Sequence, residues 1–65
     1  MKLRLNGEVI DTVQDTLAAL LDAHGFAGAR VATAVNGTFV PAALRATQPL
    51  ADGDQVEVLA PMQGG

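Results

Sequence analysis

Met1-Lys2-Leu3-Arg4-Leu5-Asn6-Gly7-Glu8-Val9-Ile10 opens the chain and decides how the rest is read. Met1, Leu3 and Leu5 alternate with Lys2 and Arg4, the period-two pattern of a half-buried strand. Asn6-Gly7 marks a tight hairpin turn, because both residues tolerate positive φ. Glu8 to Ile10 is then the return strand. The next segment supplies what covers this hairpin. Val13, Leu17, Leu20, Leu21 and His24 recur at helical spacing and form one face of an amphipathic helix. Ala18, Ala19 and Ala23 add helix propensity. Thr12-Val13-Gln14-Asp15 has the form of a capping box with Asp in place of Glu or Gln, and Gly25 stands where a left-handed C-cap belongs. The spacing predicts a helix from Val13 to His24.

Further along, Val31 to Val35 reads as a small-residue strand, Asn36-Gly37 as a second hairpin turn, and Thr38-Phe39-Val40 as its return, stopped by Pro41. Pro41 to Thr47 is expected to make one short helical turn with Leu44 tucked inward. Asp52-Gly53-Asp54 is a third turn, with Asp starting it and Gly taking the awkward dihedral. Val56 and Val58 alternate with Gln55 and Glu57 in a last strand, which Pro61 ends because it cannot donate to a ladder. The order β-β-α-β-β-β predicts an α+β fold, a mixed sheet of about five strands with one main helix on one face. Residues 1–60 form the domain and 61–65 a flexible tail. If the first and last strands pair mid-sheet they run parallel, and the tail leaves from a sheet end.

Size and composition narrow the function. With 65 residues the chain is one domain. Its 49% hydrophobic content includes two Phe and neither Trp nor Tyr, so Leu, Val, Ile and Ala must build the core. A domain this small leaves little room for an enclosed active site. The absence of cysteine excludes disulfides, thiol catalysis and thiolate metal sites. It fits a cytoplasmic protein, as does the lack of a signal-like or spanning apolar run behind Met1-Lys2-Leu3-Arg4. A net charge of −3 repels phosphate backbones and argues against nucleic acid, while favouring a basic protein surface. His24 is the single histidine, and with no Ser or Cys in the chain it lacks a nucleophile to serve. It reads as a helix C-terminal residue interacting with the dipole. Asp52 and Asp54 have no third ligand near them in sequence. No catalytic residue and no metal site are expected. Lys2, Arg4 and Glu57 are expected to share the outer sheet face as cross-strand pairs, and Arg45 to be a solvated charge.

The one feature able to carry chemistry is the ending Gly64-Gly65. Its α-carboxylate, ionised at neutral pH, stands on a segment without side chains. Such a segment can enter a narrow channel that admits only chain lacking Cβ atoms, where the carboxylate can attack the α-phosphate of ATP. The alternative is a frayed terminus. Met62 offers an adaptable apolar contact ahead of the glycines, and Gln63 completes the channel segment. Leu59 would dock against a partner with Asp52, Asp54 and Glu57 at the rim.

These segments together resemble the ThiS family, the sulfur carriers of thiamine biosynthesis within the ubiquitin-like β-grasp proteins. The resemblance spans nearly the whole chain. It runs through Asn6-Gly7, Leu17-Ala18-Ala19-Leu20-Leu21, Val35-Asn36-Gly37-Thr38-Phe39-Val40-Pro41 and Leu50-Ala51-Asp52-Gly53-Asp54-Gln55-Val56-Glu57, and ends in Ala60-Pro61-Met62-Gln63-Gly64-Gly65. Many relatives carry a basic and then an aromatic residue after the proline, where this chain has Ala42, Ala43 and Leu44, so docking contacts from that loop do not carry over. The resemblance implies that an adenylating enzyme of the ubiquitin-activating type uses ATP to adenylate Gly65. It implies that a cysteine desulfurase system supplies the sulfur, and that the resulting thiocarboxylate serves thiazole synthase. The chain itself would be a protein substrate, not an enzyme, and would bind no cofactor. The small subunit of molybdopterin synthase shares the same fold, tail and activation with a different acceptor. A β-grasp interaction module or protein modifier without sulfur chemistry is the reading from another class.

Overall fold

The computed structural model describes residues 1–60. The expected tail, 61–65, lies outside the described residues. Strands β1 (Lys2–Leu5), β2 (Glu8–Asp11), β3 (Ala32–Val35), β4 (Thr38–Val40) and β5 (Gln55–Leu59) form one sheet in the order β2-β1-β5-β3-β4. Helix α1 (Leu17–Ala23) and a 3-10 turn (Ala42–Thr47) complete the β-β-α-β-β-β order. β1 and β5 pair in parallel through Arg4↔Gln55 and Leu5↔Val56, and the other neighbours are antiparallel. This is the expected mixed five-stranded β-grasp sheet, with the last strand at its centre.

Both Asn-Gly turns have the geometry that their residues predict. Asn6 and Gly7 sit at φ 52° and 84°, Asn36 and Gly37 at 51° and 82°. Two consecutive positive φ values match the right-handed twist of the flanking strands. Leu3 and Val56 bring the inner face of the central strands to Leu17, Leu20 and Leu21 of α1, all buried, and Val35, Val40, Leu50 and Val58 close the core.

The helix starts later than its apolar spacing suggests. Thr16, not Thr12, is the N-cap, its Oγ1 accepting from the Ala19 N–H at 3.2 Å. Thr12 Oγ1 instead accepts from the Gln14 N–H at 3.0 Å in a local turn. The cause is distant in sequence. The Leu50 N–H donates to Asp15 O and the Leu17 N–H to Gln48 O, around an isolated Thr16↔Pro49 bridge. These bonds hold Thr16 extended, at φ −129° and ψ 156°, so the helix begins only at Leu17. Val13, expected on the buried face, is therefore 90% exposed. His24, expected on the same face, is the exposed C-cap. Gly25 (φ 85°) turns the chain as expected. The Phe26 N–H donates to Leu21 O and the Gly25 N–H to Asp22 O, the paired bonds of a Schellman ending. Phe26 packs on the core behind it.

Leu44 is 53% exposed, not inward. Arg45 takes the inward-facing place. Its Nη2 donates to Val31 O at 2.6 Å and its Nε to Thr33 Oγ1 at 3.0 Å. The buried Thr33 hydroxyl in turn donates to Val40 O at 2.7 Å. The guanidinium, expected to be solvated, thus fastens the 3-10 turn to the β3–β4 hairpin.

Candidate functional site

The candidate site is the end of β5 nearest residue 60, with the sheet face opposite the helix. Alternation along β5 turns Val56 and Val58 into the core and leaves Gln55, Glu57 and Leu59 exposed on the outer face. Register places the neighbours of that face. Glu57 pairs with Ala34, which pairs with Phe39 on the other side, and Leu59 pairs with Ala32. Because alanine occupies β3 at both rungs, the larger side chains flanking it stand clear. Phe39 is 65% and Leu59 64% exposed. Phe39 and Leu59 are thus two large apolar side chains left exposed on one face of a small sheet.

The residues expected to dock divide into two groups. Leu59 and Glu57 stand on the outer face, beside the root of the tail. Asp52 and Asp54 lie at the other end of β5 and are bound within the fold. Asp52 Oδ1 accepts from the Lys2 N–H at 2.8 Å. Asp54 Oδ1 accepts from Asn36 Nδ2 at 2.9 Å, and its Oδ2 from the Ala51 N–H at 2.8 Å. The Asp-Gly-Asp turn expected there is present, with Gly53 at φ 89°. Lys2, Arg4 and Glu57 share the outer face, but the expected cross-strand ion pairs do not form. Among the described residues the one ion pair joins the Met1 ammonium to Asp11 at 3.5 Å. Gly65, Gly64, Gln63 and Met62 lie outside the described residues.

Reading the sequence for motifs overlooks Phe39. The signal was available: an aromatic flanked by Thr38 and Val40 in a short strand must alternate with Val40, and Val40 faces the core. Among the described residues no three His, Cys, Asp or Glu side chains gather as a metal site, and no helix is long and apolar enough to cross a membrane.

Comparison with known proteins agrees with the fold. The ThiS family profile matches residues 3–65. The chain belongs to the ThiS family. Among solved structures, the crystal structure of a thiamine biosynthesis protein (ThiS) from Geobacter metallireducens superposes with a TM-score of 0.86 at 30% identity, covering 100% of both chains. No curated protein sequence matches. The ThiS-family match includes Pro61 to Gly65, so the ending is part of the family pattern and not an appendage to it.

Proposed function

We propose that this chain is a sulfur carrier of thiamine biosynthesis whose reactive group is the Gly65 carboxylate. The observation that carries the reading is that a ThiS-family chain leads from its central strand, β5, into a diglycine ending. A carboxylate is a poor electrophile until one oxygen can depart. An adenylating enzyme of the ubiquitin-activating type supplies that departure. A Gly65 oxygen attacks the α-phosphate of ATP and pyrophosphate leaves. A persulfide sulfur, from a cysteine desulfurase system, then displaces AMP. Cleavage of the sulfur–sulfur bond by a thiol leaves a thiocarboxylate, which thiazole synthase consumes. The chain has no thiol of its own, so the C-terminal carbonyl is the place where transferable sulfur is held. It acts in the cytoplasm as a protein substrate, and its partners bind the ATP.

The experiment is direct. Incubation with a ThiS-activating enzyme, ATP and a persulfide donor is expected to replace one oxygen of the intact chain by sulfur, read by mass spectrometry and assigned to Gly65 by fragmentation. An unchanged mass with an enzyme that activates another ThiS chain would overturn the reading.

Docking uses the outer face. Phe39 and Leu59 supply the apolar contact, Met62 extends it, and Glu57 stands at the rim. Asp52 and Asp54, held in their turn, contribute field from the far end. Phe39→Ala is expected to raise the KM for the carrier by about tenfold or more, as for a buried aromatic anchor, with kcat unchanged. The same KM is expected to rise with ionic strength, because a negative carrier is steered to a basic partner and salt screens that attraction. A KM indifferent to both changes would remove this face from the interface.

A further inference from the structure

The two Asn-Gly turns do more than reverse the chain. β1 pairs with β5 as far as Leu5↔Val56, and the Asn6 N–H still donates to Val56 O at 2.9 Å. There the chain turns away. The Asn6 carboxamide takes up the ladder in its place. Its Oδ1 accepts from the Val58 N–H at 2.8 Å, and its Nδ2 donates to Val58 O at 3.1 Å. A carboxamide carries the same donor and acceptor as a peptide unit, so this side chain acts as one further rung. On the other side Val58 pairs with Thr33 of β3. Both backbone polar groups of Val58, the penultimate residue of β5, are thus held by one side chain, while β3 lies along the other flank of the strand. Turn chemistry alone does not require asparagine here, since Gly and Asp also tolerate positive φ. Only asparagine offers both halves of the grip. Asn36 holds the opposite end of the strand, accepting from the Gln55 N–H and donating to Asp54 Oδ1, both at 2.9 Å.

We propose that Asn6 is a positioning residue for the reaction at Gly65: its grip on Val58 fixes the point and direction from which the tail enters the activating enzyme. The inference rests on the carrier reading above. It separates from mere stability because the carrier is the substrate. Partial unfolding lowers the competent fraction and so raises the apparent KM, leaving kcat intact. A loosened tail root instead misplaces the carboxylate within the bound complex and lowers kcat, for misplacement of about 1 Å can cost up to ~10²-fold.

The test measures pyrophosphate release by a ThiS-activating enzyme with three variants. Asn6→Asp keeps the acceptor for the Val58 N–H but sets a carboxylate oxygen against the Val58 carbonyl. Asn6→Gly keeps the turn and removes both bonds, and decides the matter if Asn6→Asp does not fold. Asn36→Asp disturbs the far end of the same strand. Both Asn6 variants are expected to lose about tenfold in kcat with KM within about twofold, while Asn36→Asp keeps wild-type kcat. Wild-type kcat in the folded Asn6 variants, a change in KM alone, or an equal kcat loss in Asn36→Asp would each overturn the proposal. An inactive wild-type chain would overturn the carrier reading and this proposal with it. An active wild type with unaffected variants overturns this proposal alone.

Discussion

Deletion of Gly65 is expected to abolish thiocarboxylate formation while the domain keeps its circular-dichroism spectrum and melting transition. The reasoning is one of reach. Each extended residue advances the chain by about 3.3–3.6 Å, so loss of one glycine draws the carboxylate back by that distance from the α-phosphate it must attack. Nucleophile and phosphate react only from near contact, where ~1 Å already matters by orders of magnitude. Adding one residue after Gly65 is expected to be as damaging for the opposite reason. It replaces the reacting carboxylate with an amide and pushes the new terminus beyond the site. The fold is indifferent to both changes, because the buried cluster that holds it runs from Leu3 to Val58. Intact-mass spectrometry after incubation with enzyme, ATP and sulfur donor reads the first expectation, and thermal melting reads the second. Sulfur appearing on the shortened chain, which ends in the Gly64 carboxylate, would overturn the argument from reach. Unfolding of the shortened chain would make the tail structural.

What the sequence reveals and what it hides follow from how local each determinant is. The strands and hairpins were legible because period-two alternation and Asn-Gly act over a few residues. Leu3, Val56 and Val58 alternate into the core as expected, and β4 matches Thr38–Val40. The helix start was not legible, because it depends on Gln48 and Leu50 bonding back to Leu17 and Asp15 across the chain. A capping pattern at Thr12 has no means of announcing that competition. Arg45 and Leu44 exchange their expected roles for a similar reason. The carbonyl of Val31 and hydroxyl of Thr33 that need a donor lie on another element, so the guanidinium turns in and the leucine out. The candidate site divides in the same way. Glu57 and Leu59 are placed on the outer face by alternation alone. Phe39 follows by the same alternation once Val40 faces the core, whereas Asn6 reaches Val58 only through the parallel pairing of β1 with β5. The identity of Asn6 looked like turn chemistry until the central strand was in place beside it.

Leu20→Ala is expected to do the opposite of the tail deletion, removing the fold while sparing the chemistry of each molecule that remains folded. Leu20 is 0% exposed and lies on α1, the one α-helix among the described residues. Its truncation costs the transfer free energy of the lost carbons and leaves a cavity, together about 2–5 kcal/mol for a buried leucine. A domain of this size has only ~3–10 kcal/mol to lose at typical stability per residue. Neighbouring groups offer little to refill the space. Leu17 and Leu21 are fixed on the same helix, and α1 is short, with its start held by the Thr16↔Pro49 bridge and its end by the Schellman bonds at Gly25 and Phe26. Urea unfolding followed by far-ultraviolet circular dichroism should therefore show a midpoint far below wild type, or a chain largely unfolded without denaturant. Under conditions where a fraction stays folded, the activating enzyme should see a carrier with raised apparent KM and wild-type kcat. A kcat loss in Leu20→Ala comparable to that expected for the Asn6 variants would mean that helix packing itself directs the tail. The division of labour between a core that holds β5 and an asparagine that aims its end would then have to be abandoned.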